Sequence, residues 1–399
     1  MEEEHGTKTS PQLAGPSMIR PRQPKLLLAI TEDWYFWSHR RSIARAAMDA
    51  GWHVTLASRY GSHRGRIEAM GVATVELPME RTGRNPVRET AAVGELAQLY
   101  RRVRPDVVHH VAIKPVLYGS WAAQLAGIPR VVNAISGLGY AFTGGGTKAK
   151  AYGTLARLGY RSVLRRSGTV TIFQNEEDRG VFVNLGLVRE RDTVMIRGSG
   201  VDVDEFHPRP EPDGPFTVLY AGRMLWSKGV GDLVAAVARV KDRGLDTRLV
   251  LAGHSDQANP EAIPPDRLQE WQAEGAADWL GRRDDVADLM AMSHAVVLAS
   301  EREGVPKVLV EAAGSGRPLI ASDVPGCRDV VADGANGLLV PVHDVPALAD
   351  AVYTLGSDPE LRARMGAASR ERALTEFNES RVTRETVAVY ERLFAGVHQ

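Results

Sequence analysis

Short, continuous apolar runs alternate with helical patterns along almost the whole chain, and this alternation restricts the possible folds more than any other feature. Continuous apolar runs, unlike alternating ones, are typical of strands that are buried on both faces of a parallel sheet. Such strands separated by helices predict an α/β protein whose sheets carry helices on both faces. The runs are KLLLAI at 25, HVTLAS at 53, ATVEL at 73, DVVHHV at 106, RVVNAI at 130, VTIF at 170, TVMI at 193, TVLYAG at 217, RLVLAG at 248, DWLG at 278, HAVVLAS at 294, PLIAS at 318 and GLLVP at 337.

The length of the chain, 399 residues, exceeds what one ordinary hydrophobic core supports and favours two domains. Residues 198–215, GSGVDVDEFHPRPEPDGP, are rich in Gly, Pro and Asp and lack an apolar period, which predicts a linker. We therefore expect two Rossmann-like, doubly wound domains, at 25–200 and 201–375, that face each other across a cleft. The amphipathic segment 376–399 is expected to pack back on the first domain as a helix. Residues 1–24 lack an apolar core and predict a disordered leader.

Composition argues against several classes of function. Basic and acidic residues are equally numerous, 49 each, so the formal net charge of zero gives no support to a nucleic-acid-binding protein. The single cysteine, Cys327, cannot form an intramolecular disulfide or a cysteine metal cluster. The sequence has no run of about 18 apolar residues, so it predicts a cytoplasmic protein without an ordinary membrane span.

The stretch SEREGVPKVLVEAAGSGRP, residues 300–318, is the first candidate binding site. Its Gly-Val-Pro turn follows an apolar strand, and Pro306 suits the first position of a helix, where its missing N–H costs nothing. A helix start presents unpaired backbone amides to an anionic ligand group. The expected donors are the amides of Gly304, Val305 and Lys307.

Two carboxylates flank this turn at a spacing that fits one extended ligand. Glu303 precedes the turn, and Glu311 lies slightly more than one turn inside the predicted helix. A nucleotide sugar presents sugar hydroxyls, a diphosphate and ribose hydroxyls in that order. We therefore expect the two carboxylates to bind hydroxyls on either side of a bound diphosphate, the alternative being two solvated helix residues.

Two further junctions between a strand and a helix carry candidate residues. In LYAGRMLWSKGV, residues 219–230, Arg223 and Lys228 flank a loop where two cations could clamp a diphosphate and stabilise its charge as it leaves. In DVVHHVAIKPVLYGS, residues 106–120, His109 and His110 are adjacent on a strand, so their side chains point in opposite directions. One is expected to face a neighbouring layer and the other the cleft, and the sequence leaves open which.

The motifs together resemble the retaining glycosyltransferases of family 4, which have the GT-B fold. The resemblance covers residues 25–395 and rests on GSGVDVDEF, GRMLWSKGV, LGRRDDV and EREGVPKVLVEAAGSGRPLIASDVPGC. In the first domain, HHVAIKPVLYGSWAA and VVNAISGLGYAFTG are similar to bacterial surface-polysaccharide transferases that extend a lipid-diphosphate-linked sugar. This implies a UDP-sugar donor, commonly of an N-acetylhexosamine type, and an undecaprenyl-diphosphate-linked acceptor.

The resemblance also implies roles for individual residues. Glu303 would contact the donor sugar and Glu311 the ribose, while Arg223 and Lys228 would bind the diphosphate. His109 or His110 would face the reaction centre. Gly222 and Arg283 would complete the nucleotide site. Members of the family need no metal ion or other cofactor, and the leaving diphosphate itself takes the acceptor proton during a front-face attack.

The sequence departs from the pattern of the family at three places. The first strand is followed by TEDWYFWSHR instead of a glycine-rich loop, so the phosphate contact of such a loop is not carried over. Val111 stands where relatives have a second histidine, two positions after the first. Asp329 replaces a common glutamate after DVPGC.

Other functions fit parts of the same pattern. A GT-B sugar-nucleotide epimerase would use a related nucleotide cleft without an acceptor, and a family 4 transferase could act on a soluble acceptor. An NAD-dependent oxidoreductase fits less well because no G-x-G-x-x-G follows KLLLAI. A sugar-binding protein without catalytic activity would tolerate the loss of Arg223 or Glu303, which are both present.

A basic segment at 148–167 predicts contact with a membrane surface. It reads KAKAYGTLARLGYRSVLRRS and contains no acidic residue. An amphipathic basic helix lies on anionic lipid and would bring the protein to a lipid-linked acceptor on the inner face of the cell membrane. The alternative is an ordinary surface helix. The basic residues are Lys148, Lys150, Arg157, Arg161, Arg165 and Arg166, and the apolar ones are Leu155, Leu158, Val163 and Leu164.

Overall fold

The computed structural model describes residues 22–79, 86–135, 137, 147–257 and 259–396. All the apolar runs of the sequence form strands, which confirms the α/β class. Most of the predicted leader, residues 1–21, lies outside the described residues. The strands are β1 Lys25–Glu32, β2 His53–Arg59, β3 Ala73–Glu76, β4 Val107–Val111, β5 Val131–Ile135, β6 Thr169–Phe173, β7 Thr193–Met195, β8 Phe216–Ala221, β9 Thr247–Ala252, β10 Asp278–Trp279, β11 Ala295–Leu298, β12 Leu319–Ser322 and β13 Gly337–Val340.

Helices follow most of the strands and cover both faces of each sheet. Short helical turns at Pro115–Gly119, Glu190–Asp192 and Trp226–Lys228 connect other elements. The described α-helices are α1 Asp33–His39, α2 Arg41–Asp49, α3 Arg64–Ala69, α4 Pro86–Val103, α5 Ser120–Ala126, α6 Thr147–Leu164, α7 Glu176–Asn184, α8 Val230–Asp242, α9 Pro265–Ala273, α10 Val286–Ala291, α11 Lys307–Gly314, α12 Pro325–Val330, α13 Val345–Ser357, α14 Pro359–Thr375 and α15 Glu379–Phe394.

The strands form two parallel sheets, as predicted for two Rossmann-like domains. The first has the order β3-β2-β1-β4-β5-β6-β7 and the second the order β10-β9-β8-β11-β12-β13. In each sheet the strand order reverses beside the first strand of the domain, between β1 and β4 and between β8 and β11. In such sheets the ligand binds at this reversal, outside the carboxyl ends of the strands. The topology therefore directs attention to the loops after β1, β4, β8 and β11.

The chain passes between the domains twice, and the two crossings lie side by side. The Val201 amide donates to the Phe377 carbonyl, and the Glu379 amide donates to the Val201 carbonyl, each at 2.9 Å. Val201 is itself buried in the core of the second domain, so this part of the linker is packed against the protein. Beyond the second crossing, α15 buries Tyr390 and Leu393 against the core of the first domain.

Candidate active site

Two adjoining cavities occupy the cleft where the carboxyl ends of the two sheets meet. We call them the inner cavity, of about 460 Å³, and the outer cavity, of about 500 Å³. Residues lining the inner cavity include Tyr35, His39, Arg40, Gln174, Lys228 and Glu303. Residues lining the outer cavity include Trp37, Arg41, Asp256, Arg283 and Glu311. Both domains contribute walls to both cavities, as the predicted cleft requires.

The two predicted carboxylates lie in different cavities, with cations between them. Glu303 lines the inner cavity and Glu311 the outer one, whereas Arg223 and Lys307 line both. An extended ligand that crosses from one cavity to the other would therefore pass two cationic side chains and meet a carboxylate at each end. This order matches the order of groups in a nucleotide sugar.

Lys228 and Glu303 form an ion pair because a glycine brings their loops together. The Lys228 ammonium donates to Glu303 Oε1 at 2.5 Å, and the Ser300 hydroxyl donates to the same oxygen at 2.7 Å. Gly229 has a φ of 70°, and a Cβ there would stand 2.1 Å from the Ala299 carbonyl oxygen. Only glycine allows the loop after β8 to approach the end of β11 so closely.

The side chains of Lys307, Arg223 and Arg283 are also ion-paired. Lys307 pairs with Glu311 one helical turn away, and Arg223 Nη1 lies 3.3 Å from Asp256 Oδ2. Arg283, on the rim of the outer cavity, donates from Nε to Asp285 Oδ1 at 2.7 Å. A carboxylate therefore already orients each of Arg223 and Lys307. A ligand phosphate that binds either cation would share that cation with the carboxylate.

The backbone amides of two residues of the predicted nucleotide site already donate to acceptors of the protein, and for Val305 this corrects the assignment as a free donor. The Gly222 amide donates to the Ala252 carbonyl at 2.9 Å, because the hydrogen bonding between β8 and β9 continues past the strand end. The Val305 amide donates across the cleft to Gln174 Oε1 at 3.2 Å. The amides of Gly304 and Lys307 have no acceptor among the described residues and remain candidates for an anionic group.

The helix after the Gly-Val-Pro turn begins one residue later than predicted. Pro306 precedes α11 with an extended backbone, φ −72° and ψ 113°, so Lys307 is the first helical residue. The turn is held in place by Gly326, where a Cβ would stand 1.4 Å from the Gly304 carbonyl oxygen. Glycine at 326 is thus needed for α12 to pack directly against the candidate binding loop.

Both histidines are buried inside the first domain, so the expectation that one faces the cleft is wrong. They lie on β4, a central strand whose two faces are covered by helices. His109 Nδ1 lies 2.7 Å from the Tyr390 hydroxyl of α15, and His110 Nε2 lies 2.9 Å from the Tyr100 hydroxyl of α4. Their side chains do point in opposite directions, but each meets a helix layer. Burial lowers the pKa of both imidazoles and keeps them neutral.

The N-terminal wall of the cleft is built by α1, which the sequence marked only as a departure from the family pattern. Asp33 anchors this helix, because its Oδ2 accepts hydrogen bonds from the amides of Gly61 at 2.7 Å and His63 at 3.0 Å. Tyr35 and His39 stack in the inner cavity with ring centroids 4.3 Å apart. Burial, with the charges of Lys307 and Arg40, lowers the pKa of His39 to about 3. The density of aromatic residues in TEDWYFWSHR was the available signal for this wall.

Asp329 is expected to make stability depend on pH. Burial raises the pKa of Asp329 to about 6, despite the nearby guanidinium groups of Arg197 and Arg372. Between about pH 4 and that value the unfolded chain binds fewer protons than the folded protein, so stability falls as pH rises. Asp329→Asn removes the cost of ionising a buried carboxyl. The variant should therefore have a free energy of unfolding at pH 7 that is higher by about 1–2 kcal/mol, a value reduced to account for the partial exposure of the side chain. Urea unfolding at pH 4 and pH 7 measures it, and an equal difference between variant and wild type at both pH values would contradict it.

Two family models match the chain, one in each domain. The model described as Glycosyl transferase 4-like matches residues 25–175, and the model described as Glycosyl transferases group 1 matches residues 202–372. A similar protein is the N,N'-diacetylbacillosaminyl-diphospho-undecaprenol alpha-1,3-N-acetylgalactosaminyltransferase of Campylobacter jejuni. It is 25% identical over 374 residues, which are 90% of this chain and 96% of the relative.

Solved structures of similar fold confirm the predicted GT-B architecture. Sucrose-phosphate synthase from Thermosynechococcus elongatus superposes with a TM-score of 0.77 at 21% identity, covering 94% of this chain and all of that protein (100%). Anabaena Alr3699/HepE in complex with UDP and glucose superposes with a TM-score of 0.73 at 17% identity, covering 92% of this chain and 99% of that one. At these identities the likeness establishes the fold.

Proposed function

We propose that this GT-B glycosyltransferase, whose first domain matches the 4-like model and whose second domain matches the group 1 model, transfers a sugar with retention of configuration. The donor is a UDP-sugar of N-acetylhexosamine type, and the acceptor is a saccharide linked to undecaprenyl diphosphate. The observation that carries this proposal is the order of groups in the cleft, with Glu303 at one end, Arg223 and Lys307 between, and Glu311 at the other end.

The charges of the cleft suit a reaction in which a diphosphate leaves. The bond between the sugar C1 and the diphosphate oxygen breaks, the acceptor oxygen bonds to C1, and the acceptor proton passes to an oxygen of the leaving diphosphate. The negative charge that grows on this diphosphate is stabilised by Arg223 and Lys228, fixed cations that need no reorganisation during the reaction. The protein otherwise orients two substrates, which can supply a large part of the rate acceleration.

Two relatives support the choice of substrates. The Campylobacter jejuni enzyme is named for a diphospho-undecaprenol acceptor and for transfer of N-acetylgalactosamine, and it aligns over nearly the whole of both chains. The Anabaena protein was crystallised with UDP and glucose. We propose that the reaction needs no metal ion, because Arg223 and Lys228 would balance the charge of the leaving diphosphate.

A screen of nucleotide sugars for thermal stabilisation tests the donor class. UDP-, GDP- and dTDP-sugars are added to the protein, and a ligand at about 100 times its dissociation constant adds roughly 2.7 kcal/mol of stability. We expect UDP-sugars to raise the unfolding midpoint most. Stabilisation by none of them would contradict a nucleotide-sugar site. Conversion of the donor to its epimer without any acceptor would instead favour the epimerase, and transfer to free saccharides would favour a soluble acceptor.

The exposed end of α6 supports a peripheral contact with the membrane, a proposal that follows from the lipid-linked acceptor. Leu158 is 62% exposed, and Arg157, Arg161 and Arg165 are exposed as well. Val163 and Leu164 are buried in the core of the first domain and are therefore not lipid-facing residues, which corrects the sequence-based assignment. The side chains of Lys148, Lys150 and Leu155 lie outside the described ones. No helix of the described chain is long and apolar enough to cross a bilayer.

We predict that the protein co-sediments with anionic vesicles at low salt but not with zwitterionic ones. Each basic residue near an anionic surface contributes about 1 kcal/mol, screened over a Debye length. Changing Arg157, Arg161 and Arg165 together to Gln should therefore abolish sedimentation. Arg166, also predicted to face the membrane, is left unchanged because its Nη1 atom is buried. The matched control changes Arg243, Arg248 and Arg267 to Gln, which are arginines on the surface of the second domain. If vesicle binding changes neither with salt nor with the substitution of Arg157, Arg161 and Arg165, the membrane contact lies elsewhere.

A further inference from the structure

Arg40 is a buried arginine at the wall of the inner cavity. Only 5% of its surface is exposed, and it lies between α1 and α2, where the first domain faces the cleft. Among the described residues, its buried Nε atom has no hydrogen-bond partner and its guanidinium forms no ion pair. Burying a charged group without a partner is costly, so proteins rarely retain one without a use.

The other cationic side chains that line the inner cavity differ from Arg40 in this respect. Each of them pairs with a carboxylate: Lys228 with Glu303, Arg223 with Asp256, Arg302 with Asp178, and Lys307 with Glu311. Arg40 is thus the one cation of this described lining whose charge is left without a carboxylate partner. The cavity wall on the side of the first domain carries a positive charge that the described protein does not neutralise.

The groups that surround Arg40 do not supply the missing negative charge. Burial, together with the charge of Arg40, lowers the pKa of His109 well below its usual value. Burial raises the pKa of Tyr390, and the charge of Arg40 only partly offsets this rise. Both side chains are therefore neutral near pH 7. The Nε2 atom of His109 is buried without a described partner as well. Arg40 Nε and His109 Nε2 are thus both buried without a partner among the residues that the structure describes.

We propose that Arg40 binds a phosphoryl group in the inner cavity, opposite the cations of the second domain. Guanidinium groups match phosphate oxygens with two parallel hydrogen bonds, which a lysine cannot do. The proposal rests on the proposed function for the source of this group, which is either the diphosphate of the donor or the diphosphate that links the acceptor to its lipid. In both cases Arg40 joins the first domain to a ligand that the second domain already holds.

Calorimetric titrations of Arg40→Met and Arg40→Lys test this binding, with Arg45→Met on the exposed side of α2 as the matched control. The probes are UDP, uridine, inorganic diphosphate and farnesyl diphosphate. Loss of a charge-assisted hydrogen bond should weaken a phosphate-bearing probe by roughly 10- to 100-fold in the Met variant. Uridine affinity should stay unchanged. A loss for UDP assigns Arg40 to the donor, and a loss for farnesyl diphosphate alone assigns it to the acceptor.

The stability of the ligand-free variants separates binding from a structural role. Because the charge of Arg40 is buried without a carboxylate partner in the described part of the chain, Arg40→Met should unfold at the same temperature as the wild type or higher. A markedly lower midpoint for both Arg40 variants would assign Arg40 to the fold and overturn the proposal. Unchanged affinity of both variants for all phosphate-bearing probes would overturn it too.

The outcomes also distinguish this proposal from the proposed function. If the wild type transfers sugar but the Arg40 variants bind every phosphate-bearing probe normally, only the role of Arg40 is wrong. If the wild type transfers no sugar but its binding of inorganic diphosphate depends on Arg40, the phosphoryl site is supported and the proposed reaction is wrong. A wild type that binds none of the phosphate-bearing probes would overturn both.

Discussion

Arg223→Ala and Lys228→Ala are each expected to lower kcat by about 100-fold, the scale on which enzymes respond to losing one preorganised group that stabilises developing charge. Arg223 lines both cavities, and Lys228 is fixed beside Glu303 in the inner one. The interaction strengthens as the diphosphate leaves, so kcat should fall more than donor affinity does. Initial rates at saturating UDP-sugar measure the effect.

The matched control is Arg248→Ala, which removes an ion-paired arginine from the surface of the same domain, 56% exposed. It should leave kcat unchanged. Lys228→Ala removes the counterion of Glu303 and should lower the unfolding midpoint by a few degrees, so circular dichroism must show that each variant is folded at the assay temperature. Folded Arg223 and Lys228 variants with near-wild-type rates would show that the diphosphate clamp is wrong.

Glu303→Gln and Glu311→Ala are expected to separate recognition of the sugar from recognition of the ribose. Glu303 lines the inner cavity and Glu311 the outer one, on either side of Arg223 and Lys307. Glu303→Gln should therefore weaken binding of the UDP-sugar by about 10-fold and leave UDP binding unchanged. Glu311→Ala should weaken both ligands by about 10-fold, because both carry the ribose.

Isothermal titration of UDP and the UDP-sugar into each variant measures this division. Glu301→Gln is the matched control, since Glu301 lies two residues before Glu303 but points to His343 on the surface, 48% exposed. Equal losses of affinity for UDP and the UDP-sugar in the Glu303 variant would show that this carboxylate does not bind the sugar of the donor.

The two sheets could be predicted because buried parallel strands leave a direct mark on the sequence. The central strands must be apolar on both faces, and even the half-buried edge strands β10 and β7 appeared as short apolar runs. The positions of Glu303 and Lys228 relative to the cleft followed from the same reasoning, since residues after the strands beside the reversal reach one edge of the sheet.

The parts that could not be predicted depend on how distant segments pack. Whether a histidine on β4 faces a cleft or a helix depends on which helices cover the strand, and Tyr390 reaches His109 from the far end of the chain. The same holds for Val305, whose amide was expected to be free but donates to Gln174 of the other domain. The sequence did not indicate Arg40. The argument for Arg40 depends on its lack of a carboxylate partner among the described residues, and this can be seen only in the folded protein.

The most direct test of the central claim is the anomeric configuration of a product made from a UDP-sugar and a polyprenyl-diphosphate-linked acceptor. The protein is incubated with a UDP-α-N-acetylhexosamine and a synthetic acceptor that carries one sugar, and the new linkage is assigned by proton NMR. We predict release of UDP that depends on the acceptor and a lipid-linked disaccharide with an α linkage. A β linkage, or UDP release and donor conversion that do not depend on the acceptor, would contradict the proposed retaining transfer.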